Sequence, residues 1–425
     1  MEGTTTVAYG PWETGERLND RERVVKYGAP ATEAPFSQAE YCMRRDRVRD
    51  GMRESGIDLL YVMSPEGMCY LSGYANEWYQ AQSPKAWAAS SGIAVHVDHD
   101  RFILFDSAAE TILIRTSSIA SDVRNPERGS AIEFIVNELK AEGWLTGTVG
   151  LEMWSYRPNR VVSERFQAAF ESAGCAVTDG SDVIRSARKL KSPQELAYME
   201  IAALIADIGL AAARNTICAG LTELEVYGEV IAAMARAGGE NAAITLPVLS
   251  GIKTPTGHGL ASRKQIMPGE VVLVDVCGVF NRYHVNVARN FAVGEPHPDV
   301  SQRINLAAQM FSTVEGILRP HLPISEFNTA VQNYYDEVGL WEHRGYVGGY
   351  ETGIAFPPDW VGEFNYGPHV DTGNQVFEPG LVVNHEAQFY LPSMVGYCMI
   401  IDSIMFTDAE ARWLGTTPRE LMVIE

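Results

Sequence analysis

Apolar and polar positions alternate along the chain with two periods, and the change from one to the other outlines its elements. Residues 1–35 are rich in Gly, Pro, Thr and charge and predict an extended arm rather than a packed element. A helical period follows from Gln38 to about Ser55, and Ile57-Asp-Leu-Leu-Tyr-Val-Met63 then reads as a short buried strand. Ile93–Val97 and Arg101–Phe105 flank the polar turn Asp98-His99-Asp100, which predicts a hairpin. Thr148–Glu152 and Ala176–Thr178 add strands between helical stretches, so residues 36–185 form an α/β domain.

A second domain is expected over 186–425. Ser192-Pro-Gln-Glu195 combines a capping box with proline at the first helical position, a strong helix start. The segment beyond it is apolar nearly all round (Leu196, Met199, Ile201, Leu204, Ile205, Ile208), which predicts a deeply buried helix. Thr222-Glu-Leu-Glu225 opens another helix that ends at Gly238-Gly239, and a helix pair is expected near 299–319 and 325–338. Met267-Pro-Gly-Glu-Val-Val-Leu-Val-Asp275 is echoed by Phe377-Glu-Pro-Gly-Leu-Val-Val-Asn-His-Glu386. Either Pro-Gly turns recur by chance, or two related halves present Asp275 and Glu386 at equivalent strand ends.

Composition narrows the function. A formal charge of −20 repels nucleic-acid phosphates and anionic membranes, so neither is expected as a partner. The six cysteines include no CxxC pair, which excludes a zinc ribbon or redox motif and favours a reducing cytoplasm. No signal peptide and no membrane-spanning apolar run is read, and a soluble intracellular protein is expected.

Four segments place polar groups among apolar ones: Thr256-Gly-His258-Gly, Val274-Asp275-Val, Arg282-Tyr283-His284-Val-Asn286-Val-Ala-Arg289 and Asn384-His385-Glu386. An ionised acid inside a strand as apolar as 271–279 must be paired, so Asp275 belongs either to a site or to a structural ion pair.

The linker Arg188-Lys-Leu-Lys-Ser-Pro-Gln-Glu195, Ser250 to His258, Tyr283 to Arg289 and Glu378-Pro-Gly380, in that order, resemble the creatinase and proline-peptidase superfamily over about residues 37–425. Within it, Gly349–Trp360 and Thr417–Met422 look most like ectoine hydrolase. The resemblance implies an α/β N-terminal domain plus an α+β C-terminal pitta-bread domain. The superfamily's peptidases bind two metal ions through two Asp, one His and two Glu. Here the slots fall on Asp275, Asn286, Thr352, Glu386 and Ile401, and an amide is a weak ligand for such ions. The expectation is therefore a metal-independent hydrolase, without cofactor, that cleaves an amidine, guanidine or amide C–N bond of a small zwitterionic, ectoine- or creatine-like compound. Creatinase implies His258 and Glu386 as the catalytic pair, and Asp275, Asn286, Tyr283, Glu351, Thr352 and Trp78 are expected around the substrate. Ala288 stands where creatinase has a second pocket glutamate, which argues against creatine itself. His385 and Arg289 read as structural. The family also implies a homodimer, with Trp78, Tyr79 and Trp87 on a loop that reaches the partner's pocket. Two alternatives stand beside this reading: a metal-dependent Xaa-Pro-type peptidase or lyase, and a catalytically inactive binding module.

Overall fold

A computed structural model describes residues 33–76, 85, 88–126, 131–391 and 396–425. Trp78, Tyr79 and Trp87 lie outside the described residues, as does most of the expected arm. The chain divides into two compact units, Met1–Ala187 and Arg188–Glu425.

The first unit is built on β1 (Leu59–Val62), β2 (Gly92–His96), β3 (Phe102–Phe105), β4 (Val123–Arg124), β5 (Thr148–Leu151) and β6 (Ala176–Asp179). They lie in the order β4-β3-β2-β1-β5-β6, with antiparallel pairing in the β1–β2–β3 meander and parallel pairing from β1 through β5 to β6. Strands β1, β2 and β3 are buried on both faces, which explains why they read as continuous apolar runs rather than as alternation. The helix Gln38–Ser55 starts at Ser37, whose side chain accepts from the Glu40 amide, and stops at Gly56 in the left-handed region. Tyr61, Phe105, Phe166 and Phe170 pack in the core between sheet and helices.

The second unit carries a sheet of nine strands. These are β7 (Val248–Ser250), β8 (Val271–Phe280), β9 (Tyr283–Val293), β11 (Arg344–Tyr350), β12 (Asn365–Tyr366), β14 (Val382–Tyr390), β15 (Tyr397–Phe406), β16 (Ala411–Trp413) and β17 (Met422–Ile424), while β10 (Leu322–Pro323) and β13 (Val376–Phe377) form a separate ribbon. The main path runs β12-β11-β14-β15-β9-β8-β7. Two long hairpins, β8–β9 and β14–β15, therefore meet along their inner strands, and their outer strands β8 and β14 hold mirrored positions. This is an α/β domain followed by an α+β pitta-bread domain.

The helix Pro193–Thr216 closes its capping box as expected and lies across β8 and β9. A side chain at Gly278 of β8 would stand 1.8 Å from the Ala202 carbonyl oxygen, so only glycine permits this approach. Two expectations about this helix are corrected. Among the described residues it is the one helix long and apolar enough to cross a membrane, although no such run was expected. Nor is it buried all round: Met199, Ala202, Ile205, Ala206 and Leu210 face the core, while Ile201 and Leu204 are 37% and 56% exposed.

Candidate active site

Each antiparallel partner shares a face with the residue opposite it, so the register defines one row across four strands. Asp275 on β8 opposes Ala288 on β9, Ala288 opposes Ile401 on β15, and Ile401 opposes Glu386 on β14. Two acids thus end a row whose middle is apolar. Asp275 and Glu386 are each the fifth residue of their strand, in mid-strand rather than at the strand ends expected.

Two residues before Ala288 and Glu386, on the same face, stand Asn286 and Asn384. Asn286 Nδ2 donates to Asp275 Oδ1 at 2.7 Å and Asn384 Nδ2 donates to Asn286 Oδ1 at 3.1 Å and to Glu386 Oε1 at 2.9 Å. β9 and β14 are not neighbours in the sheet but flank β15, so this bridge reaches across that strand. Gln388 Nε2 donates to Glu386 Oε2, and the Tyr350 hydroxyl donates to the same carboxylate while accepting from Trp360 Nε1 at 3.0 Å.

Among the described residues no cation is hydrogen-bonded to Asp275. Burial, reinforced by the nearby Glu386 charge and opposed by the Asn286 amide, pushes its carboxyl up to about 8. Burial also raises Glu386, against hydrogen bonds from Tyr350, Gln388 and Asn384 and the attraction of His258. At neutral pH Asp275 therefore keeps its proton. His258 is exposed, on the loop beyond β7, next to Gly257 at φ +54°.

Two expected site residues are engaged elsewhere in the fold. Tyr283 is buried, and its hydroxyl donates to Glu195 Oε1 at 2.8 Å at the start of the helix Pro193–Thr216. The Glu351 carboxylate pairs with Lys191 Nζ at 2.6 Å and accepts from the Glu363 amide. Thr352 is fully buried, and its hydroxyl has no hydrogen-bond partner among the described residues. The residue of that segment that reaches Glu386 is Tyr350. His385 points to the opposite face of β14, into Phe311, Phe327, Tyr366 and Trp413, where burial pushes it down to about 3. Gln388 and Tyr350 were missed, and Asn384, named in its segment, was given no role. Asn384 and Gln388 were readable, because both share strand parity with Glu386.

Residues 197–408 match the model described as metallopeptidase family M24, and residues 44–190 match the creatinase/prolidase N-terminal domain. A Xaa-Pro dipeptidase from Pyrococcus furiosus is 25% identical over 381 residues, spanning 89% of this chain and 99% of its own length. An ectoine hydrolase from Halomonas elongata is 24% identical over 408 residues, spanning 92% of this chain and 98% of its own. Among solved structures, an X-Pro aminopeptidase from Thermotoga maritima superposes with a TM-score of 0.75 at 19% identity, over 89% of this chain and 99% of that one. The prolidase from Pyrococcus horikoshii superposes with a TM-score of 0.72 at 22% identity, over 89% of this chain and 100% of its own.

These findings overturn the expectation of a metal-independent hydrolase confined to C–N bonds other than peptide bonds, because the chain matches a metallopeptidase family and a relative over 89% of it is named a Xaa-Pro dipeptidase. The donor set itself does not fit a two-ion centre. Among the described residues no group of three or more His, Cys, Asp or Glu is arranged to hold a metal ion. Ile401 offers no donor, and Asn286 spends its amide nitrogen on Asp275 and the Val276 carbonyl. By its two matched domains and its fold, the chain belongs to metallopeptidase family M24, with a creatinase/prolidase-type domain in front.

Proposed function

We propose that this protein is a peptidase for small substrates, of the Xaa-Pro dipeptidase kind, which hydrolyses the C–N bond of a zwitterionic, dipeptide-sized molecule. The observation that carries the reading is the row in which Asp275 and Glu386 close upon each other through Asn286 and Asn384. Glu386 is the negative end of that row and suits the ammonium of a free dipeptide. Asp275 holds its proton on Oδ2, because Oδ1 accepts from Asn286.

His258 takes a proton from water, the water oxygen bonds to the scissile carbonyl carbon, and the C–N bond breaks as the leaving nitrogen receives that proton. Asp275 Oδ2–H hydrogen-bonds the carbonyl oxygen as negative charge develops on it. Glu386 steadies the imidazolium through its charge. Asn286, Asn384 and Tyr350 fix the two carboxyl groups. Six free cysteines fit a cytoplasmic enzyme, and the family suggests a homodimer, which light scattering tests.

The deciding assay offers the full chain a panel of Xaa-Pro and ordinary dipeptides and measures liberated amino acid. Xaa-Pro dipeptides are expected to be cleaved, and His258→Ala to lower kcat by about 10²–10⁴-fold. No release above blank from any dipeptide overturns the proposal.

A further inference from the structure

We infer that Glu223 is a positioning residue for His258, holding in place the loop that presents the imidazole to the carboxyl pair. The inference rests on the reading of His258 as the group that moves the proton.

In sequence Glu223 is an ordinary acid in the first turn of a helix, where unpaired amides favour negative charge. In the structure its carboxylate is spent elsewhere. Oε1 accepts from the Ser250 amide at 2.8 Å and the Ser250 hydroxyl at 3.0 Å. Oε2 accepts from the Ser262 amide at 3.0 Å, the Ser262 hydroxyl at 2.9 Å and Lys253 Nζ. Ser250 and Ser262 are the two feet of the loop that carries His258. Lys253 lies inside that loop and also donates to the Leu260 carbonyl and the Ser262 hydroxyl, each at 2.9 Å.

One fully buried acid thus ties the loop at both feet and in the middle. The hydrogen bonds from Lys253, Ser262 and Ser250 outweigh burial and keep its carboxyl below the usual range, so it is ionised when the loop is in place. A second tether fixes the loop's height: Thr254 Oγ1 accepts from the Tyr397 amide of β15 at 2.8 Å. The His258 side chain is exposed, so its position is inherited from these ties rather than from packing of its own. A glutamine at 223 keeps the volume but offers one acceptor oxygen where two now serve five donors, and leaves the Lys253 ammonium without its counter-charge.

The test uses the full chain as wild type, Glu223→Gln, His258→Ala and the double variant. The first readout needs no turnover: the imidazole resonance of His258 in histidine-labelled protein, identified by its loss in His258→Ala. Glu223→Gln is expected to broaden or split it, while the signals of the buried His284 and His385 stay unchanged. The second readout is kcat on a cleaved dipeptide. Glu223→Gln should lower it about tenfold with KM within about twofold, and the double variant should be no slower than His258→Ala alone. If Glu223→Gln does not fold, Ser262→Ala removes one tie at the loop's foot and should broaden the same resonance. An unmoved His258 signal, or losses that multiply in the double variant, overturns the inference. Normal turnover by His258→Ala overturns instead the catalytic reading of His258, and a resonance that still responds to Glu223→Gln then upholds the anchoring alone.

Discussion

The same sheet buries two aspartates in opposite ways. Asp402 on β15 is fully enclosed, and Arg289 and Arg419 each donate to its Oδ2 at 2.9 Å while the Ser403 and Gly415 amides donate to Oδ1. Arg289 spends its remaining hydrogens on the carbonyls of Ile401, Thr417 and Pro418, so the tail is tied to the strand with every charge answered. Asp275, two strands away on β8, meets one side-chain amide and the charge of another acid. A structural acid is answered by cations of its own fold. An acid left with an unanswered oxygen keeps its proton and remains open to a substrate.

That contrast can be broken at both ends. The largest effect is expected at the answered acid: Arg289→Ala should cost about 3–5 kcal/mol in urea unfolding, because it leaves Asp402 buried with half its counter-charge. Retention of wild-type stability would mean that the Arg289 pair is not what holds the tail. Next, Glu386→Gln should lower kcat/KM by the equivalent of about 1.5–3 kcal/mol, the worth of a charged hydrogen bond to substrate, with little change in fold. Third comes pH. Asp275 is raised to about 8 in the folded chain and ionises near 4 when unfolded, so between those values the folded state holds a proton that the unfolded state has lost. Stability should therefore fall as pH rises through that window, by up to about 1.4 kcal/mol per pH unit, relative to Asp275→Asn, which has no such proton. Parallel denaturation curves for the two proteins from pH 5 to 8 would contradict the assignment. The smallest effect is expected at Thr352, whose hydroxyl already lacks a partner: Thr352→Val should change stability by less than about 1 kcal/mol and leave kcat unchanged.

Local signals in the chain were readable where the determinant was local. Both capping boxes mark helix starts that the structure keeps, at Ser192 and Thr222. The echoed Pro-Gly-strand-acid pattern led to Asp275 and Glu386, which the register sets in mirrored strands. What was not readable depended on distant partners. Tyr283 is held by Glu195 and Glu351 by Lys191, both far away in sequence. The expected histidine slot was set at Thr352 within a glycine-rich stretch that has little alternation to define its register. The pairing of β11 with β14, Gly348 opposite Glu386, brings Tyr350 to the carboxylate instead. Glu223 was read only as part of a capping box, because nothing local distinguishes an acid serving its helix from one serving a loop.

Strand β14 sends Glu386 to one face and His385 to the other, and this parity makes the protein a gauge of its own assembly. A chain that paired β14 one residue out of step would remain compact and rich in strand, yet it would turn a histidine toward the site and bury a carboxylate among Phe311, Phe327 and Trp413. Spectra of secondary structure would barely separate that misassembled form from the native one. Turnover per mole of refolded protein would count only the chains that closed in step.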